Sequence, residues 1–294
     1  MNSDEVRAAF LHPRDFRGRL EHRPVAWLPV GTLEWHGFHL PLGFDGVKAE
    51  LLSVKAAEQI GGVVFPAVYY GDHRGILQEA MFLPGVFPGL TYDHRSELAR
   101  ELGGDAFLHA ANADREQAAG ALDRHVELLL RVFWGIRAYG FTRIVAIAGH
   151  YPNVVPLRAA AARFHRLQIS CRAIVGTEEE LSGIPGGDHA ARYETSQMMA
   201  LAPDLVRLEE LEERRASEPL GVFGLDPTSA TAALGNQIVE SFVRAMQGKL
   251  GEVPPMPRFG SRDEDGHEGI WPSNLSDPDA IEDLFTDPAN RIGE

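Results

Sequence analysis

The chain has 294 residues, enough to bury a sizeable core as one large domain or two modest ones. Its 28 basic and 42 acidic residues give a formal charge of −14 without any basic block, which argues against nucleic acid and an anionic membrane surface as partners. A single cysteine, Cys171, excludes an intramolecular disulfide, and no apolar stretch reaches the roughly 20 residues that span a bilayer. Cys171 itself reads as a small core residue at a strand start. The N-terminal stretch lacks the apolar region of a signal peptide, so a cytoplasmic location is expected.

Val25 to Val30 reads as a short buried strand. The loop after it carries Glu34, His36, His39 and Asp45. If the strand persists to residue 36, Glu34 and His36 share one face, because strand side chains alternate. A carboxylate and an imidazole side by side at a strand end make half of a metal site. Gly31, Gly37 and Gly43 allow the sharp turns that return Asp45 toward that pair. Val47, Leu51, Val54 and Ala57 recur at helical spacing and predict a helix stopping at Gly61-Gly62.

Val63 to Tyr70 is a second strand-like run, leading into the polar loop Gly71 to Gly75 with His73. Residues 76–120 show little pattern beyond a charged stretch, Asp93 to Gly104, that fits a short helix. A lid, an insertion and an oligomer contact all remain open there. Leu122, Val126, Leu129, Leu130 and Phe133 predict an amphipathic helix ending near Gly140. Thr142 to Ala148 is the strongest strand signal, and it ends in Gly149-His150-Tyr151-Pro152-Asn153. A helix with Val155, Ala159, Ala162 and Leu167 follows, then a short strand, Ala173 to Gly176.

The polar stretch from Gly186 to Ser196 contains Asp188, His189 and Glu194 and runs into helical Met198 to Leu201, bounded by Pro203. Glu209 to Arg215 reads as a solvated helical face, and Ala230 to Lys249 as a helix with Leu234, Ile238, Phe242 and Met246 on one side. The proline- and acid-rich tail, residues 251–294, is expected to be irregular. With no internal repeat, a single domain over 1–294 with its core in residues 20–250 is the simplest reading. Strands alternating with helices argue for an α/β fold with a mostly parallel sheet covered on both faces. Ligands of such sheets bind beyond the carboxyl ends of the strands, where the loops 31–45, 71–75 and 149–153 fall.

Glu34-Trp35-His36-Gly37-Phe38-His39-Leu40-Pro41, with Asp45 behind it, resembles the first signature of the creatininase (creatinine amidohydrolase) family. Ala148 to Asn153 resembles its Gly-His loop, and His189 to Ser196 its His-Ala-Gly-x-x-Glu-Thr-Ser stretch, with Ala191 in place of the glycine. Weaker matches are Leu83-Pro84-Gly85-Val86, and Gly221 to Gly224 with Asp226-Pro227. The resemblance spans residues 25–250 in the family's order. It implies a three-layer α/β/α sandwich, two divalent metals per subunit, commonly zinc or manganese, and often a hexamer. It also implies hydrolysis of a carbon–nitrogen bond, usually in a cyclic or other non-peptide amide.

Glu34, His36, Asp45, His150 and Glu194 are the candidate ligands, a mixed nitrogen and oxygen set that suits zinc, manganese or ferrous iron better than calcium. The resemblance gives Asp45 the bridging position. Cations ~3.5–4 Å apart can share a water and make it a metal-bound hydroxide near neutral pH. His189 is the candidate acid for the departing nitrogen, and Asp188 either orients it or caps the helix carrying Glu194. His39, Tyr151 and His73 are candidates for contacts to the ligands or the substrate.

Two departures stand out. Creatininase proper has a glutamate ligand where this chain has Pro152, and a tryptophan shortly before the third signature that Glu178 to Asp188 lacks. Glu194 is expected to compensate for Pro152, and creatinine itself is not the expected substrate. The expected activity is hydrolysis of an amide, cyclic amide or formamide bond of a small polar molecule. Hydrolysis of a sugar- or inositol-derived lactone or cyclic ketone, and a non-catalytic metal-stabilised assembly subunit, are the alternatives.

Overall fold

The computed structural model describes residues 5–71, 91, 93–102, 120–167, 170–212, 219–251 and 253. Four strands, β1 (Val25–Val30), β2 (Val63–Val64), β3 (Arg143–Ala148) and β4 (Arg172–Gly176), form a parallel sheet in the order β2-β1-β3-β4. The helices are α1 (Pro13–His22), α2 (Phe44–Ile60), α3 (Arg95–Glu101), α4 (Ala121–Ala138), α5 (Val154–Leu167), α6 (Glu178–Ser182), α7 (Arg192–Leu201), α8 (Glu209–Glu212) and α9 (Ala232–Leu250).

Strand alternation divides the core into two layers. Ala26, Leu28 and Val30 of β1, with Ile144, Ala146 and Ala148 of β3, pack on one side against Leu129, Phe133 and Phe164 of α4 and α5. Val25, Trp27, Val145 and Ile147 pack on the other side against Leu52 and Ala56 of α2 and Phe242 and Met246 of α9. The result is the expected α/β/α sandwich. Among the described residues no helix is long and apolar enough to cross a membrane.

Three expectations need correction. β1 ends at Val30, so Glu34 and His36 lie in irregular backbone and not on a strand face. The second strand is only Val63–Val64, after which Val68 makes a lone bridge to Val30. Pro66 explains the break, having no N–H for the ladder. On α5 the buried face is Val154, Leu157, Ala160, Ala161 and Phe164, whereas Val155 and Leu167 are exposed. His73, the Leu83 to Val86 piece and the tail beyond Val253 lie outside the described residues.

Candidate metal centre

The loops after β1 and β3 meet at backbone level. A Cβ on Gly149 would overlap the carbonyl oxygen of Asp45, and one on Gly31 would overlap Gly46. Only glycine permits these approaches, and they set His150 beside Asp45. Gly37, with φ +69°, turns the chain between His36 and His39.

Glu34, His36, Asp45, His150 and Glu194 are all buried in one cluster. His150 Nδ1 lies 2.9 Å from Glu34 Oε2 and 3.3 Å from Asp45 Oδ2. His36 Nε2 lies 3.2 Å from Asp45 Oδ1 and 3.7 Å from Glu194 Oε2. Donor atoms within 4.8 Å of one another form the groups Glu34–Asp45–His150 and His36–Asp45–Glu194, with Asp45 common to both. Glu34, His36 and His189 form a third group of the same size.

The His150–Glu34 contact is a hydrogen bond, yet several atoms of the cluster stay unpartnered. Glu34 Oε1, His36 Nε2, Asp45 Oδ2 and His150 Nε2 are buried and have no hydrogen-bond partner. Orphaned buried polar atoms cost about 1–3 kcal/mol each, and a set of nitrogen and carboxylate atoms converging this way fits divalent cations. The His36 ring is held by Nδ1 at 3.2 Å from the Glu34 carbonyl. A carbonyl only accepts, so Nδ1 carries the proton and Nε2 faces the carboxylates.

Helix starts explain how so many carboxylates tolerate burial. Asp45, Glu178 and Glu194 each sit in the first turn of α2, α6 or α7, where the helix dipole is positive. Burial would raise Glu34 and Asp45, but the neighbouring His36, His150 and His189 rings hold both carboxyls below their ordinary range. Conversely, burial opposes charge on His36 and His150, yet the facing carboxylates push them up to about 9 and about 10.

His189 behaves oppositely. Burial, then the adjacent His36 ring, lowers its pKa, so it is neutral near pH 7. Its Nε2 lies 2.7 Å from the Trp35 carbonyl; Nε2 therefore carries the proton and Nδ1 the lone pair. The ring stands in a column, 4.4 Å from His36 and 5.3 Å from Phe223, with Phe44 4.6 Å beyond His36. Asp188 is occupied as a helix cap, accepting from the Tyr193 and Glu194 amides at 2.7 and 3.1 Å. His39 Nε2 lies 2.8 Å from the Thr195 hydroxyl, which donates to the Ala190 carbonyl. Ala190, at φ +56°, is the one left-handed non-glycine among the described residues, and its amide donates to Glu194 Oε2 at 2.8 Å. Tyr151 is 71% exposed beside the cluster.

Two members were not anticipated. Lys48, buried, donates to Glu194 Oε1 at 2.9 Å and lies 3.2 Å from Glu178 Oε1. Glu178 follows β4 directly, at the same sheet edge as the other loops; the rule that flagged those loops could have flagged it.

A histidine and carboxylate cluster at the carboxyl edge of a parallel sheet is the framework of a metal-dependent hydrolase. The family model for creatininase, creatinine amidohydrolase, matches residues 9–107 and 123–248. The chain is 30% identical over 265 residues to the mycofactocin precursor peptide peptidase of Mycolicibacterium smegmatis, covering 79% of this chain and 86% of the relative. It is 26% identical over 229 residues to the creatinine amidohydrolase of Pseudomonas putida, covering 71% of this chain and 76% of the relative. A crystal structure of creatininase superposes with a TM-score of 0.60 at 22% identity, covering 84% of this chain and 96% of that one. A manganese form superposes with a TM-score of 0.60 at 20% identity, covering 84% and 97%. The chain belongs to the creatininase family, and it is a metal-dependent amidohydrolase of that family.

Proposed function

We propose that the protein hydrolyses a carbon–nitrogen bond in a small polar amide, cyclic amide or formamide, with two divalent cations in the cluster. Glu34, Asp45 and His150 would hold one, and His36, Asp45 and Glu194 the other. The observation that carries this reading is the position of Asp45, common to both groups, with buried unpartnered atoms on Glu34, His36, Asp45 and His150 around it. Glu194 supplies the second carboxylate of its group, whereas the proline side chain at 152 offers no donor to either.

Cations bound there would polarise the scissile carbonyl and acidify a water shared between them. The remaining chemistry belongs to the chain. Neutral His189 takes a proton from the attacking water at Nδ1, while Nε2–H stays anchored on Trp35. Water oxygen bonds to the carbonyl carbon, the carbon–nitrogen bond breaks, and His189 returns the proton to the leaving nitrogen. His189 is thus base first and acid second, which modifies the role expected from sequence.

Asp45→Asn is the direct test. A neutral amide bridges two cations poorly, so this variant is expected to lose at least one metal by elemental analysis and at least ~10³-fold in kcat/KM, about 4 kcal/mol of transition-state stabilisation. Full metal content with parental activity would refute the bridge. The substrate needs a panel of cyclic amides, formamides and lactones. Short peptides belong in it as well, because the relative at 30% identity is a peptide peptidase. The same purified protein, sized by light scattering, checks the hexamer suggested by the resemblance.

A further inference from the structure

Lys48 has no part in the proton transfers of His189 or in the proposed ligand set. A buried ammonium is expensive, and an ion pair in a core is often no better than apolar packing. Lys48 sits one turn after Asp45 on the same face of α2. Its Nζ reaches Glu194 Oε1 at 2.9 Å and Glu178 Oε1 at 3.2 Å, and stands 5.1 Å from the centre of the Phe44 ring. Gln197 Nε2 donates to the same Glu178 oxygen at 2.9 Å.

The two oxygens of Glu194 are thereby divided. Oε1 belongs to Lys48, and Oε2 faces the Ala190 amide at 2.8 Å and His36 Nε2 at 3.7 Å. A carboxylate's terminal torsion is broad and two-fold, so it turns easily unless both ends are held. We propose that Lys48 is a positioning residue for the cation site formed by His36, Asp45 and Glu194, fixing Glu194 so that one chosen oxygen is presented to the cation. This rests on Glu194 being a ligand. It also makes the effect selective, because Glu194 belongs to one of the two Asp45 triads only and the ion pairs of Lys48 run to Glu178 and Glu194.

The test is titration of metal-free full-length protein with Mn²⁺ and, separately, Zn²⁺ against a chelator. Circular dichroism and apo Tm serve as fold controls. Lys48→Met is expected to keep one cation at parental affinity and to bind the other at least tenfold more weakly. Lys48→Arg, which can still donate to Oε1, should recover part of the loss. Lys55→Met, which removes an exposed lysine of the same helix paired with Glu58, should bind both cations as the parent does. If Lys48→Met does not fold, Lys48→Leu carries the same expectation. Parental affinity at both sites in the Met or Leu variant overturns the proposal, and so does an equal loss in Lys55→Met. Glu194→Ala separates the two claims. If it still binds two cations, the ligand assignment itself has failed; if it loses one while the Lys48 variants lose none, only the role of Lys48 has failed.

Discussion

His36 and His150 each face several carboxylates, and this sets what happens when a cation arrives. Asp45, Glu194 and Glu34 lift His36 to about 9 against the effect of burial, and Glu34 and Asp45 lift His150 to about 10. Without metal, both rings are therefore protonated at pH 7. A ligand nitrogen must give up that proton. Metal binding should release close to two protons when both sites fill, and affinity should rise with pH until about 9 to 10. Calorimetric titration in two buffers of different ionisation enthalpy measures this number; equal heats in the two buffers would exclude it. The sign for the metal-free fold is opposite. A histidine whose folded pKa is raised stabilises below its unfolded pKa, and that contribution is lost as pH rises through the folded value. Metal-free protein should thus lose stability as pH rises from about 6.5 to about 9 to 10, and the holo-protein much less. His189 follows neither pattern, because burial and His36 keep it neutral.

At the scale of elements, the cluster depends on close approach between the β3 loop and the start of α2. Gly149→Ala would push its new Cβ into the Asp45 carbonyl. Overpacking of this kind costs about 1–3 kcal/mol, and here it also parts His150 from Asp45. Denaturant unfolding should show that loss together with weaker metal binding. Gly135→Ala in α4, with open space around the new methyl, should instead gain up to about 1 kcal/mol. If the two variants proved equally stable, the packing argument would fall. The elements themselves were largely readable: β1, β3, α2, α4 and α9 announce themselves by apolar period. The face of α5 was not, because alanines on every side of Ala159 to Ala162 blur the apolar stripe. Glu34, His36, Asp45, His150 and Glu194 were legible from residue type and motif spacing. Lys48 was not, because a lysine in a helix reads as a solvated residue, and its burial follows from Glu178 and Glu194, which approach from far along the chain. Ala190 offers no sequence signal for its left-handed backbone either.

For the whole molecule, the two outer layers divide the labour. The side with α2 and α9 carries Asp45 and Lys48 as well as its core, and α7 adds Glu194. The α4 and α5 side packs the opposite sheet face, with Phe133 and Phe164 fully buried. All strand pairings are parallel, so every pair closes through a crossover and the sheet forms from distant segments. The donors enter in strict chain order: Glu34, His36 and Asp45 from one stretch, His150 after β3, and Glu194 last. The Glu34–Asp45–His150 triad can close once β1 and β3 have paired, whereas the other waits for α7. Refolding in the presence of Mn²⁺ should accordingly take up metal in two phases, and Glu194→Ala should abolish the slower one alone. A single phase shared by both proteins would contradict this. During synthesis the same order would let a first cation, bound as proposed, tether segments already made and hold the centre half-built while Glu194 is still to emerge.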